Sequence, residues 1–367
     1  MIAQKSVIDE LEDAISNKEI GRRAESLRRV TDLFVSGPAR YAEDQVELFD
    51  VVMILLAKEI DSSARATFGH RLATLPQAPP RIIRALALDD EIEVAGPILT
   101  HSQQLDEETL IESARTKSQN HLLAISRRTS LPEPLTDVLV ERGNQQVAQS
   151  TVENPGAKFS TYGYSTLVKR SEDDAELALR VWNRPEIPRQ HLLKLFADAT
   201  EAVRLKLEAA DRRKAGLLRL MVAQASNQFQ TESRERSEAF AAAHSHVQSL
   251  HDAGALTHTQ LETFARDGKF DETTIALSMM CDLSIGLVER AMVQERSEQI
   301  LVLAKAIGLS WDIAKALLLT QAGTNGSSTY ELDHCRVKFA KLKVETAKMA
   351  IQFYRLRERA AASAGSN

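Results

Sequence analysis

The sequence predicts an all-α protein, and three observations carry that expectation. Aromatic residues make up only 5% of the 367 residues, and Gly and Pro occur 15 and 10 times against a background rich in Leu, Ala, Glu and Arg. That mix favours helices over pleated strands. Apolar residues step by three and four, as in Val46, Phe49, Met53, Leu56 and Ile60, which places all five on one helical stripe. An apolar-Pro pair also recurs, as Leu75-Pro76, Leu131-Pro132 and Ile187-Pro188, at a constant step of 56 residues.

Taken in chain order, Ile8, Leu11 and Ile15 suggest a first helix and Leu27, Val30 and Phe34 a second, with Gly37-Pro38 before the helix through Val46–Ile60. Pro suits the first turn of a helix, where its fixed φ fits and its missing N–H would have no partner. Each recurring Pro therefore starts a helix, marked by Ile82-Ile83, Val138-Leu139 and Leu192-Leu193. A second helix is expected near Val94-Ala95, Val147-Ala148 and Ala202-Val203. One amphipathic hairpin cannot cover its own apolar face, so residues 1–215 are expected to stack hairpins into a HEAT/armadillo-like α-solenoid. An irregular bundle with three fortuitous prolines is the alternative.

From Glu201 to Asp252 there is no Pro, and the one Gly is Gly216. Two helices split near Gly216, or within the polar run Gln224–Ser237, would form a spacer leading into a second helical lobe, 216–321. There Thr257 is a candidate N-cap before Leu261, Gly268 marks a helix end, and Ile300–Ile307 and Trp311–Leu319 flank Gly308-Leu309-Ser310 as a hairpin. Residues 322–367 read as a Gly/Ser linker, Ala322–Ser328, then a C-terminal amphipathic helix and a disordered tail. In that helix Cys335, Phe339, Leu342, Thr346, Met349, Phe353, Leu356 and Ala360 step 4-3-4-3-4-3-4, a seam of heptad type for docking on its own lobe or for pairing two copies. The long helix before Asp252 is a second candidate for a homodimer.

Composition narrows the functional classes. A net charge of −5 and a pI near 6.0 give no bulk attraction to nucleic acid or anionic lipid. Met1–Asn17 is acidic and unlike a signal peptide, and the longest apolar run, Val51–Ala57, is far short of the ~20 residues that cross a bilayer. A cytoplasmic protein without a membrane partner is expected. Cys281 and Cys335 lie in no metal-type spacing and are expected as reduced thiols. His244, His246, His251 and His258 lack the spacing of three or four that ligands on one helix face need. With no nucleophile elbow, phosphate loop, dinucleotide fingerprint or zinc-protease motif, no cofactor, metal or catalytic residue is expected.

Arg127, Arg128, Lys169, Arg170, Arg184 and Arg189 recur near the repeat turns. They could line one edge as a basic strip for phosphates or acidic side chains, or simply pair with neighbouring Asp and Glu. Few aromatics accompany them, Phe159, Tyr162, Tyr164 and Trp182, so nucleic acid is not favoured.

The segment Ala124–Ser160 contains an "Arg, small, x, Leu-Pro" turn at Arg127–Pro132 and an Asn-Pro-Gly-Ala turn at Asn154–Ala157. With FARDGKFDETTIALSMMCDLSIGLVERAM, ILVLAKAIGLSWDIAKALL and the ending ETAKMAIQFYRLRER, it resembles an uncharacterised family of unknown function, number 2336, found mainly in alphaproteobacteria. The resemblance covers most of the chain and implies HEAT-like helical repeats but no reaction, ligand or catalytic residue. It departs in the closing helix, which has Phe353-Tyr354 where a Trp is expected by analogy. The expected function is a non-enzymatic scaffold or regulatory adaptor for a protein partner. The alternatives are a nucleic-acid-binding or HEAT-like DNA glycosylase-type protein using the Arg strip, and a small-molecule sensor with a pocket between the lobes near Gly216–Gly254.

Overall fold

In a computed structural model the described residues are 20–36, 41–294, 297–322 and 329–364. The helix expected around Ile8, Leu11 and Ile15, the Gly37-Pro38 punctuation and most of the linker 322–328 lie outside them. The regular structure of the described residues is helical, apart from one bridge between Leu131 and Ala157. The chain divides into two compact units, Met1–Leu167 and Val168–Asn367.

The first unit contains α1 (Ile20–Ser36), α2 (Glu43–Ala57), α3 (Ser62–Ala73), α4 (Pro80–Ala87), α5 (Ile92–His101), α6 (Glu107–Thr116), α7 (Gln119–Ser126), α8 (Glu133–Arg142) and α9 (Gln145–Glu153). Each helix packs on the one two places ahead. Thus α2, α4, α6 and α8 form one row and α3, α5, α7 and α9 another, with α4 against α5, α6 against α7 and α8 against α9 across the rows. This is the contact pattern that stacked hairpins make. Leu27, Val30 and Phe34 are buried on α1, and Phe49, Met53 and Leu56 on α2, so the stripes read from the sequence do face the core.

The repeat is shorter than the proline spacing suggests. Helices α4, α6 and α8, then α10 (Thr161–Arg170) and α12 (Arg189–Ala210), begin at residues 80, 107, 133, 161 and 189, a step of 26 to 28 residues. A 56-residue step therefore spans two hairpins. Pro is seen only in every second one because the intervening helices start differently: Asp106 accepts the Thr109 N–H at 2.7 Å, and Ser160 accepts that of Gly163 at 2.9 Å.

The three prolines are not equivalent either. Pro132 and Pro188 are N-caps, whereas Pro76 lies in the turn before Pro79-Pro80. Pro79 has no capping side chain, and buried Asp50 of α2 substitutes for one, accepting the Arg81 and Ile82 N–H groups at 2.8 and 2.6 Å. Where α3 crosses α5 the backbones come close at Gly69, whose added Cβ would lie 2.9 Å from the Val94 carbonyl oxygen.

The second unit contains α11 (Ala175–Trp182), α12, α13 (Ala215–Glu235), α14 (Glu238–Asp252), α15 (His258–Arg266), α16 (Phe270–Cys281), α17 (Ile285–Val293), α18 (Ser297–Ala306), α19 (Trp311–Ala322), α20 (Thr329–Lys341) and α21 (Val344–Ala364). Its core joins Val247, Leu261, Phe264, Ile275, Met292, Ile300 and Leu317 from α14 to α19, against which α20 and α21 dock. Thr257 caps α15 by accepting the Gln260 N–H, and Gly268 takes φ +68 just past that helix, a left-handed position suited to Gly. Gly308, at φ +77, likewise lies in the turn between α18 and α19.

Two expectations are corrected here and a third is refined. Ala202-Val203 is no second helix of a repeat, because α12 runs unbroken for 22 residues. The helix break expected near Gly216 falls slightly earlier, at Asp211, which has φ −147 and accepts the Arg213 N–H to start a 3-10 turn, Arg212–Lys214, and a second break falls at Arg236-Ser237, within the polar run. The helices on either side of Asp211, α12 and α13, pack as an antiparallel hairpin rather than a spacer, and that hairpin lies wholly inside the second unit.

Candidate functional site

The arginines that punctuate the repeats cap helices in the neighbouring hairpin. Arg128, in the turn after α7, donates to the Leu99 and Ser102 carbonyls at 2.7 and 2.8 Å, at the C-terminal end of α5. Arg142, at the end of α8, donates to the Ala114 carbonyl in the last turn of α6. Such contacts satisfy terminal carbonyls and complement the negative end of each helix dipole. Burial lowers the Arg128 pKa, though not to where a guanidinium deprotonates.

Of the six strip residues, Arg127 and Lys169 are exposed. Arg128 is engaged as above, Arg170 is half-buried, buried Arg184 pairs with Glu186, and the Arg189 side chain is buried in the second unit. Arg127 and Arg128 belong to the first unit and the other four to the second.

The two turns that carry the family resemblance lock onto each other. Asn154 donates from Nδ2 to the Ser126 and Arg128 carbonyls at 2.8 and 2.6 Å, and its Oδ1 accepts the Gly156 N–H at 2.8 Å. Leu131 and Lys158 add backbone bonds across the same pair of turns. A Cβ on Gly156 would sit 2.0 Å from the Thr129 carbonyl oxygen, so this approach requires Gly. These residues fasten one hairpin to the next and expose no reactive group.

In the second unit a buried ionic cluster ties the start of α12 to the core. The Arg189 side chain, 7% exposed, reaches the fully buried Glu289 on α17, and its Nε lies 3.2 Å from Asp271 on α16. Arg234 of α13 donates to the other Glu289 oxygen at 2.7 Å, and Phe240 lies under the Arg189 guanidinium at 4.6 Å. Burial raises the Glu289 and Asp271 carboxyl pKa values, with the guanidinium charges opposing. His191, two residues further along α12, is also buried, which depresses its pKa to about 4.

Above this cluster α12 and α13 emerge as a hairpin exposed along much of its length. A cavity of about 400 Å³ lies at its base, lined by Phe196, Asp198, Thr200, Val222, Phe229 and Arg290 among others. This cavity is formed by α12, α13 and α17 of a single unit, and so is not the pocket between lobes expected near Gly216–Gly254.

The terminal seam is divided. The chain breaks at Leu342-Lys343, between α20 and α21. Cys335 and Phe339 are buried against the core and Leu342 is half-buried, but α21 docks through Ala347 and Ile351, leaving Met349, Phe353 and Leu356 exposed. Arg355 holds α21 in place by donating to the Cys281 and Asp282 carbonyls at the end of α16. The break resets the helical phase, so one continuous heptad seam does not form.

Among the described residues no group of three or more His, Cys, Asp or Glu is arranged to hold a metal ion, and no helix is long and apolar enough to cross a membrane. His251 pairs with the adjacent Asp252 at 3.5 Å, and His246 meets the Phe264 ring edge-on.

The family model described as "Uncharacterised protein conserved in bacteria (DUF2336)" matches residues 94–352, more than half of the chain. The chain belongs to the DUF2336 family. No curated protein and no solved structure matches it. The DUF2336 span runs from α5 into α21, so it takes in both interlocked turns, the ionic cluster and the α12–α13 hairpin. The sequence reading missed the cluster and the exposed hairpin face. Leu217, Leu220 and Met221, large apolar residues just ahead of the polar run Gln224–Ser237, were the available signal.

Proposed function

We propose that this DUF2336 protein is a non-enzymatic, cytoplasmic protein-binding scaffold whose first unit receives an extended segment of a partner. The observation that supports this is the outward side of the row α3, α5, α7 and α9. Thr67, His70, Asn120, Gln146 and Gln149 are exposed or half-exposed there, and the fully exposed charged positions of the row are two, Glu93 and Glu153. On the other row the exposed positions include Glu107, Glu108, Arg115, Glu133 and Glu141. Uncharged hydrogen-bonding groups repeated from hairpin to hairpin suit a peptide backbone, which presents a donor and an acceptor at nearly every residue. The nucleic-acid reading loses support, because Arg128, Arg184 and Arg189 are spent on internal acceptors. Cytoplasmic residence accords with two free, buried cysteines, of which Cys281 has its thiol pushed up to about 12 by burial.

The test is affinity capture from bacterial extract with wild type and an Asn120→Glu, Gln146→Glu double variant, both positions being exposed. Wild type should return a reproducible set of proteins that the variant, with an unchanged circular dichroism spectrum, loses. Equal recovery by both would refute this face as the binding surface, and no reproducible partner for wild type would refute the scaffold reading.

A further inference from the structure

The α12–α13 hairpin carries one flank on which four large apolar side chains are exposed together, apart from Leu205 and Leu220, which lie singly elsewhere on the two helices. Thr200, Arg204 and Glu208 of α12 are partly covered, as are Leu218, Val222, Ser226 and Phe229 of α13, and these lines mark where the two helices face each other. At about 100° per residue, Ala199, Val203, Leu207 and Ala210 lie to one side of the α12 line. Leu217, Met221 and Ala225 lie to one side of the α13 line, and because the helices are antiparallel both sets fall on the same flank. Val203, Leu207, Leu217 and Met221 are 54%, 46%, 58% and 56% exposed. A monomer has no reason to place four such side chains together on a projecting arm.

We propose that two copies of this chain pair through this flank into an antiparallel four-helix bundle. Phe196 stacks on Phe229 at 4.2 Å and Arg219 donates to Glu208 at 3.0 Å, which sets Val203 level with Ala223. A two-fold axis at that level, lying in the plane between the hairpins, brings Val203 onto the partner's Val203. It also brings Leu207 onto the partner's Ala199 and Met221 onto the partner's Ala225, large against small in each case.

Charge decides the orientation. The tip carries Arg212, Arg213 and Lys214, all exposed, with Asp211 3.5 Å from Lys214 offsetting one charge, whereas the base of α13 alternates Glu232, Arg234, Glu235 and Arg236 and has no net charge. The antiparallel arrangement sets each basic tip against the partner's neutral base, while the alternative, tips together, gathers four net positive charges. The face is about 20 Å long and two helices wide, so the pair buries on the order of 1,000 Å², at the lower end for a specific interface, which makes it a reversible dimer. This inference is independent of the first unit and survives if no scaffold partner is found.

The experiment is sedimentation of the full chain from about 1 to 100 µM, the range in which a reversible contact of this size dissociates. Wild type should move from the mass of one copy toward two, and the Leu217→Glu, Met221→Glu variant should remain at one with an unchanged circular dichroism spectrum. Oxidised Val203→Cys should form a covalent dimer, whereas Leu205→Cys, exposed about 200° round α12 on the opposite flank, should not; Cys281 and Cys335 are buried. A wild-type monomer throughout, or equal cross-linking of the two cysteines, would overturn the proposal. Cross-linking through Arg213→Cys in place of Val203→Cys would overturn the antiparallel orientation.

Discussion

Glu289→Gln keeps the shape of a fully buried side chain at the centre of the second unit and removes its charge. Arg189 then keeps only Asp271, whose Oδ1 lies 3.2 Å from Nε without the alignment of a hydrogen bond. Leaving one member of a buried ion pair uncompensated costs about 3–5 kcal/mol. Two features pull the value to the lower end: Asp271 still faces the guanidinium, and Arg234, 20% exposed, can turn to water. About 3 kcal/mol in a unit of this size corresponds to a fall in Tm of roughly 6–12 °C.

Intrinsic fluorescence reads this directly, because both tryptophans of the chain, Trp182 and Trp311, lie in the second unit. Glu262→Gln, which breaks a surface pair with Arg266, is the control and should cost under about 0.5 kcal/mol. In the cycle of Arg189→Ala with Glu289→Ala the two losses should fall short of additivity by at least about 1 kcal/mol. A melting shift for Glu289→Gln below about 2 °C, or strict additivity in the cycle, would refute the idea that the cluster anchors the hairpin.

His191 predicts a pH dependence of known sign. Its folded-state pKa of about 4 lies below the unfolded value near 6.5, so unfolding takes up a proton in that window. Stability present above pH 6.5 is therefore lost as the pH falls toward 4, by at most roughly 3 kcal/mol. Urea midpoints of wild type minus those of His191→Leu should carry that slope, and parallel curves would contradict it. Asn154→Ala, which removes hydrogen bonds to two carbonyls and from one N–H, should destabilise by about 2–3 kcal/mol in thermal melts followed by circular dichroism. A loss under about 0.5 kcal/mol would show that the interlocked turns are not what joins the hairpins.

Helix class and the buried stripes were legible because they depend on local spacing. Leu27, Val30 and Phe34 needed nothing beyond a period of 3.6, and Thr257 and Gly268 needed only cap chemistry. The repeat was legible at the wrong length, since Pro marks a helix start only when it is present, and Asp106 and Ser160 mark the same event with different chemistry. At the C-terminus, heptad arithmetic ran through Leu342-Lys343 because neither Gly nor Pro announces the break. The basic strip failed for a further reason. Sequence spacing places an arginine near a turn but cannot say whether its guanidinium meets solvent, as at Arg127, or the carbonyls of the preceding hairpin, as at Arg128.

That distinction bears on what family membership can mean here. Arg128, Leu131, Asn154 and Gly156, which lie in the two turns of the resemblance, spend polar groups on each other or on helix ends. Any chain with these hairpins would need them whatever it binds, so they report scaffold and not activity. Specific recognition needs side chains that are still free to exchange water for a partner. In this molecule such side chains include exposed positions on the outward row of the first unit, the apolar flank from Val203 to Met221, and Met349, Phe353 and Leu356 on α21. The flank falls inside the matched span without belonging to either turn. A hydrophobic arm held at its root by fully buried Glu289 costs stability unless something covers it, and this coupling of an expensive anchor to an exposed face is what makes pairing the stronger reading of the hairpin.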